Sequence, residues 1–171
     1  LTIAQDFDVN PDMVYVIAAY HDIGLKYGRK EHEKHSKDML LSDQKLKEWF
    51  TEDELLIMAE AVEDHRASSK NEPRTIYGKI VSEADRDISY RTVLTRTIQY
   101  SLDNFPSYTV DQHFIRIHEH MEHKYGEDGY IKLWLRAKHN LDSLNELRLM
   151  QKDTVHLRKD IDEIYSQCTG K

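Results

Sequence analysis

The residues with the greatest capacity for chemistry lie in Ala18-Ala19-Tyr20-His21-Asp22-Ile23-Gly24. An apolar run, 13–20, leads straight into an adjacent imidazole and carboxylate, and a glycine follows. An unpaired carboxylate buried beside an imidazole at the end of a core helix is costly. A divalent cation removes that cost, because neutral imidazole and carboxylate are its natural ligands. Adjacent helical residues diverge by about 100°, yet at a helix end both side chains can lean toward one ion. A second carboxylate, Asp85 in Ser82-Glu83-Ala84-Asp85-Arg86, ends another apolar stripe made by Ile76, Ile80, Val81 and Ala84. His35 in Glu31-His32-Glu33-Lys34-His35-Ser36 and His65 in Glu63-Asp64-His65-Arg66 stand at comparable places, while His32 is expected to face solvent. The plainer alternatives are a hydrogen-bonded pair for His21 and Asp22, an ion pair with Arg86 for Asp85, and surface or satisfied core positions for His35 and His65.

Elements that must position these groups are readable from caps and periodicity. Asn10-Pro11-Asp12 is a helix start, with Asn10 as N-cap and proline at the first helical position. The helix that follows is apolar nearly all round and therefore central. Gly24 and Gly28 bracket a loop, and a more polar helix is expected over 32–41. Thr51-Glu52-Asp53-Glu54 is a capping box opening a helix to about residue 65. Residues 67–73 read as an exposed loop. The stripe ending at Asp85 is expected to continue or restart toward residue 102, and Asn104-Phe105-Pro106-Ser107 breaks it. Further helices are expected over 110–125, ending at Gly126, and as one long last helix over 136–165. With 6 glycines, 3 prolines and no alternating strand pattern, the fold class is all-α.

A length of 171 residues suits one domain with one core. A net charge of −7 opposes attraction to a nucleic acid polymer or an acidic membrane surface. The run 13–20 is far too short to span a bilayer. The single cysteine, Cys168, forms no intrachain disulfide, which favours a reducing compartment and a cytoplasmic location. On a helix, His113, His120 and His123 share a face, with spacings of seven and three; with His118 they read as an exposed polar face, a second metal site being the less favoured alternative. Tyr130, Trp134, Leu133 and Leu135 read as core or as a dimer contact. The last helix can pack on its own core or on a second copy, so a homodimer stays open.

The ordered set His21-Asp22, His35, His65 and Asp85 resembles the HD superfamily of metal-dependent phosphohydrolases, over about residues 10–88. The resemblance implies an HD-domain helical bundle with a C-terminal helical extension: a single domain 1–171, with the motif-bearing core in 1–90 and the extension in 91–171. It implies one or two divalent ions (Mn, Fe, Co, Ni, Mg or Zn) held by His21, Asp22 and Asp85, with His35 and His65 serving a second ion or the phosphate. Asp22 would bridge two ions. The family pattern also has a leading histidine upstream of the apolar helix. None precedes His21 here, and because the chain opens at Leu1 that ligand is expected on a segment before it.

The activity so implied is hydrolysis of a phosphoester in a small phosphorylated metabolite or nucleotide, through a metal-activated water. Lys26, Arg29, Lys30, Lys34 and Lys37 flank the first loop, and Arg66, Lys70, Arg74 and Lys79 the second. Arg29 and Arg66 are the first choices for bidentate phosphate binding, with Lys26 beside them. Glu63 or Asp64 is expected to shuttle protons, and spacing does not choose between them. Two other readings remain: a degenerate HD module acting as a non-catalytic scaffold or sensor, and a di-iron HD-fold oxygenase.

Overall fold

The computed structural model describes residues 2–66 and 71–170. Eight α-helices and three short 3-10 turns, and no strand, lie among the described residues. The helices are α1 (Pro11–Tyr20), α2 (His32–Ser42), α3 (Glu52–Asp64), α4 (Ile76–Ala84), α5 (Tyr90–Asn104), α6 (Val110–Tyr125), α7 (Lys138–Lys152) and α8 (Thr154–Thr169). The all-α expectation holds. The chain forms two compact units. The first runs through Arg86 and also takes in Leu133–Ala137; the second holds Asp87–Lys132 and the residues from Lys138 onward.

The first unit is organised around α3, which packs against α1, α2 and α4. Its cap is the expected one. Thr51 Oγ1 accepts from the Glu54 amide, and the Glu54 carboxylate accepts from the Thr51 amide at 2.8 Å, so two orphan donors are satisfied. One face of α3 buries Leu55, Met58, Ala59, Ala61 and Val62. They meet Met13 and Ile17 of α1, Leu40 of α2 and Val81 of α4 in one cluster. The two alanines leave room for close approach by the neighbouring helices. α1 starts as expected, with the Asn10 side chain accepting from the Asp12 amide and Pro11 at the first position. A smaller cluster of Ala4, Val14 and Ile80 is covered in part by Leu135. The Glu83 carboxylate, fully buried on α4, accepts from the Leu135 and Ala137 amides at 3.1 and 2.8 Å and so holds the 133–137 segment.

The second unit has its own core, drawn from Leu94 and Ile98 (α5), Ile117 and Met121 (α6), Leu144 and Leu147 (α7), and Leu157 and Ile161 (α8). Of the two courses open after Asp85, the helix restarts, since α5 begins only at Tyr90. One expectation changes here. The long last helix over 136–165 is two helices broken at Asp153, whose φ/ψ of −82°/82° leaves the helical region and whose carboxylate caps the His156 amide at 3.0 Å. A local hydrogen bond from an Asp side chain outcompetes one more helical turn. Val155, just past the break, is 81% exposed.

The histidines of α6 do not converge. His113 is buried against the Ser101 hydroxyl at 2.7 Å, His118 stacks on Phe114, and His123 meets Tyr130 edge to face. The cap of α3 carries a direct test. Thr51→Ala should cost about 1 kcal/mol of stability, read as a lower urea midpoint with unchanged native ellipticity; an unchanged midpoint would contradict this role for the cap.

Candidate metal centre

His21 and Asp22 sit where α1 ends. The His21 amide still bonds to the Ile17 carbonyl at 2.9 Å, and Asp22 has already left the helix and begins a 3-10 turn over Ile23–Tyr27. Gly24 lies in that turn against α2. A Cβ at Gly24 would stand 2.2 Å from the His32 carbonyl oxygen and 2.7 Å from the Ser36 amide, so only glycine fits. The Gly24 amide donates to the buried Ser36 hydroxyl at 2.9 Å. α2 itself is entered through Glu31 in the left-handed region, φ 57°. Together these contacts turn the face of α2 that carries His32, Ser36 and Leu40 inward.

The result is a cluster of three imidazoles and two carboxylates. Asp22 Oδ1 lies 3.1 Å from His32 Nε2 and 3.4 Å from His65 Nε2, and the two imidazole nitrogens are 3.2 Å apart. Asp22 Oδ2 lies 3.7 Å from His21 Nε2, which is 3.4 Å from Asp85 Oδ1. The two oxygens of Asp22 thus face two groups, His32 with His65 and His21 with Asp85. His32 and His65 are buried, whereas the side chains of Asp22 and Asp85 are 43% and 39% exposed, so the cluster opens to solvent on its carboxylate side.

Each imidazole is oriented by a backbone carbonyl at Nδ1. His21 donates to Ala18 O at 2.8 Å, His32 to Arg29 O at 3.0 Å, and His65 to Val62 O at 2.6 Å. With Nδ1 protonated, Nε2 presents its lone pair. Three lone pairs and two carboxylates then share one small volume, which is unfavourable unless a cation or protons lie among them. The spacing suits a cation. Metal–ligand bonds of about 2.1 Å put neighbouring ligand atoms about 3.0 Å apart in an octahedron and about 3.4 Å in a tetrahedron. Asp22, His32 and His65 form such a group, their ligand atoms all within 4.8 Å of one another.

The electrostatics divide the imidazoles. Burial lowers the pKa of His65, which keeps it neutral and ready to ligate. The pKa of His21 is raised, chiefly by its hydrogen bond to Asp85, so without a metal this imidazole tends to hold a proton that a metal must displace.

Of the residues expected at the site, the structure brings together His21, Asp22, His65 and Asp85. It does not bring His35, whose ring packs against Tyr27 at 5.2 Å between centroids. His32, expected to face solvent, is buried at the centre instead. The two lie three residues apart on α2, and packing turns the His32 face inward. A readable signal was present, since His32, Ser36 and Leu40 recur every four residues.

Glu63 and Asp64, the expected proton shuttles, are engaged by cations. Glu63 accepts from Lys37 at 2.9 Å and Arg74 at 2.6 Å, and Asp64 takes the Arg74 amide and guanidinium. Burial alone would raise the pKa of Glu63, but these two cations bring it below the usual value. Arg66 is held by the Glu33 carboxylate at 3.2 Å. Arg29 and Lys26 are exposed, Lys26 resting over the Tyr27 ring. Of the second-loop cations, Lys70 lies outside the described residues.

Residues 1–88 match the family model described as HD domain, just over half of the sequence. The chain belongs to the HD-domain family, a superfamily of metal-dependent hydrolase type. No curated protein and no solved structure matches it significantly.

Two outcomes follow from this geometry. Gly24→Ala should destabilise the chain by about 1–3 kcal/mol through overpacking and weaken Mn²⁺ or Co²⁺ binding at least about tenfold, a magnitude typical of displaced ligand supports; native affinity in the variant would refute the close approach of Gly24 to α2. Metal affinity of the wild-type chain should rise as pH climbs past the ordinary imidazole range, because the pKa of His21 is raised and His21 must lose its proton to ligate. Titration calorimetry in two buffers checks this, and flat affinity with no proton release would contradict it.

Proposed function

We propose that this chain is a metal-dependent phosphohydrolase that cleaves the phosphoester of a small phosphorylated metabolite, nucleotides included. The observation that carries the reading is the convergence of His21, His32 and His65 on the two oxygens of Asp22, with Asp85 on the far side of His21 and every imidazole locked with Nε2 inward. Membership of the HD-domain family supports it.

In this reading His32, His65 and one oxygen of Asp22 hold one divalent ion. His21, Asp85 and the other oxygen of Asp22 form the second half of the site. A divalent ion supplies, when bound, an acidified water and positive charge near the phosphoryl group. The residues do the rest. The exposed edges of Asp22 and Asp85 mark the side from which substrate enters and can accept a proton from water. Arg29, whose own carbonyl orients His32, and Lys26 on the same loop are proposed to bind phosphate oxygens. Arg66 is a weaker choice than its sequence position suggests, because binding phosphate would compete with Glu33. The same competition weakens Glu63 and Asp64 as proton shuttles. His35 is proposed as a wall residue of the Tyr27 loop. No helix among the described residues is long and apolar enough to cross a membrane, and the lone Cys168 favours a cytoplasmic setting for this activity.

Protein purified without chelator should carry about one or two divalent ions per chain, as structures of this ligand type do. A panel of phosphomonoesters and nucleotides assayed with added Mn²⁺, Co²⁺ or Ni²⁺ should reveal turnover that EDTA removes. Asp22→Ala should lower kcat/KM at least about a thousandfold, because it removes the group common to both halves of the site. Undiminished turnover by that variant, or no turnover of any phosphoester by the metal-loaded wild type, would sink the proposal.

A further inference from the structure

The three imidazoles of the cluster are not supported alike. His21 and His65 face backbone carbonyls at Nδ1. His32 faces the Arg29 carbonyl as well, but a Glu33 carboxylate oxygen also lies 3.4 Å from its Nδ1. That carboxylate is mostly buried, with only 15% of its side chain exposed. It is gripped by Arg66 Nη1 through both oxygens, at 3.3 and 3.2 Å. Glu33 follows His32 on α2, and Arg66 follows His65 at the end of α3. One ion pair therefore ties together the residues next to two of the imidazoles that face Asp22.

We infer that the Glu33–Arg66 ion pair is a positioning clamp for the metal centre, setting the His32–His65 spacing and raising the ligand strength of His32. The inference rests on the metal reading of the cluster given above. A carboxylate beside Nδ1–H makes the opposite nitrogen a stronger donor. Arg66 takes up part of that charge and fixes where it stands. One guanidinium nitrogen, Nη1, reaches both carboxylate oxygens at once, so the carboxylate is held through both. The pair is only part-buried, so its value for folding is small; its effect is concentrated on the ligand that it touches. On this account Arg66 acts through Glu33 on the centre, not on the substrate.

The test is a double-mutant cycle read by metal binding rather than turnover. Co²⁺ titrations of the full chain would be followed by the visible absorption of the bound ion and by calorimetry, for wild type, Glu33→Gln, Arg66→Gln and the double variant. Glu33→Gln should weaken Co²⁺ binding about 10–100-fold, the range found when such supports are removed, and shift the absorption band. Arg66→Gln should weaken it less, and the double variant should be no worse than Glu33→Gln alone, because both act as one unit. Glu33→Asp should recover part of the loss. Circular dichroism melting should move little in all four, which separates positioning from folding. Wild-type affinity and spectrum in Glu33→Gln would overturn the clamp while leaving the metal site standing. So would additive losses in the double variant. If the wild-type chain binds no Co²⁺, the metal reading falls and the clamp with it.

Discussion

Three imidazole lone pairs and two carboxylates directed into the same few ångströms repel one another unless something positive lies between them. Every other feature of the first unit can be read as the means by which that arrangement is held. The Nδ1 atoms of His21, His32 and His65 are committed to the carbonyls of Ala18, Arg29 and Val62, so the rings cannot flip to relieve the repulsion without losing a hydrogen bond. His32 and His65 are buried and cannot swing into water. Asp22 stands between the two halves of the cluster, with one oxygen toward each. Such a centre is stored affinity for a cation: the folding free energy of the helices keeps the donors close, and a bound ion returns part of it.

The helices that do this are ordinary ones, and their strength is in how they end. His21 is the last residue of α1 to bond back into the helix, His65 caps α3, and Asp85 caps α4. At a helix end the backbone is no longer fully paired, so a side chain can turn along the axis toward a neighbour without disturbing a regular turn. Three helix ends meeting at one place bring imidazoles and carboxylates together from distant parts of the sequence. The fourth contribution, His32, comes from the start of α2, which is entered through a left-handed Glu31 and pressed against Gly24. Packing around Met58, Ala59 and Ala61 of α3 brings these ends together.

Much of this was legible before any coordinates. The Asn10 and Thr51 caps, the apolar helix running into His21-Asp22, the stripe leading to Asp85 and the break after Asn104 were all read correctly, because each depends on residues within a few positions of one another. The misreadings have a common cause as well. His32 and His35 have the same chemistry and lie less than one turn apart, and only the rotation of α2 against its neighbours distinguishes them. Asp153 carries a cap signal that helical apolar positions on both sides concealed. Glu63, Asp64 and Arg66 carry the right charges for a phosphate site, yet Lys37, Arg74 and Glu33 had claimed them, partners as many as 33 residues away.

Local order thus set the all-α class, most helix boundaries and four of the five side chains that meet in the cluster, since caps, periodicity and an adjacent His-Asp pair are short-range chemistry. Tertiary packing decided which histidine of α2 joins them, which cations stay free for an anion, and that the chain divides at Arg86 into two compact units. Those outcomes depend on the facing of one helix against another. Facing is set by the summed burial of side chains such as Leu40, Ser36 and Ala61, whose partners lie far away in the chain.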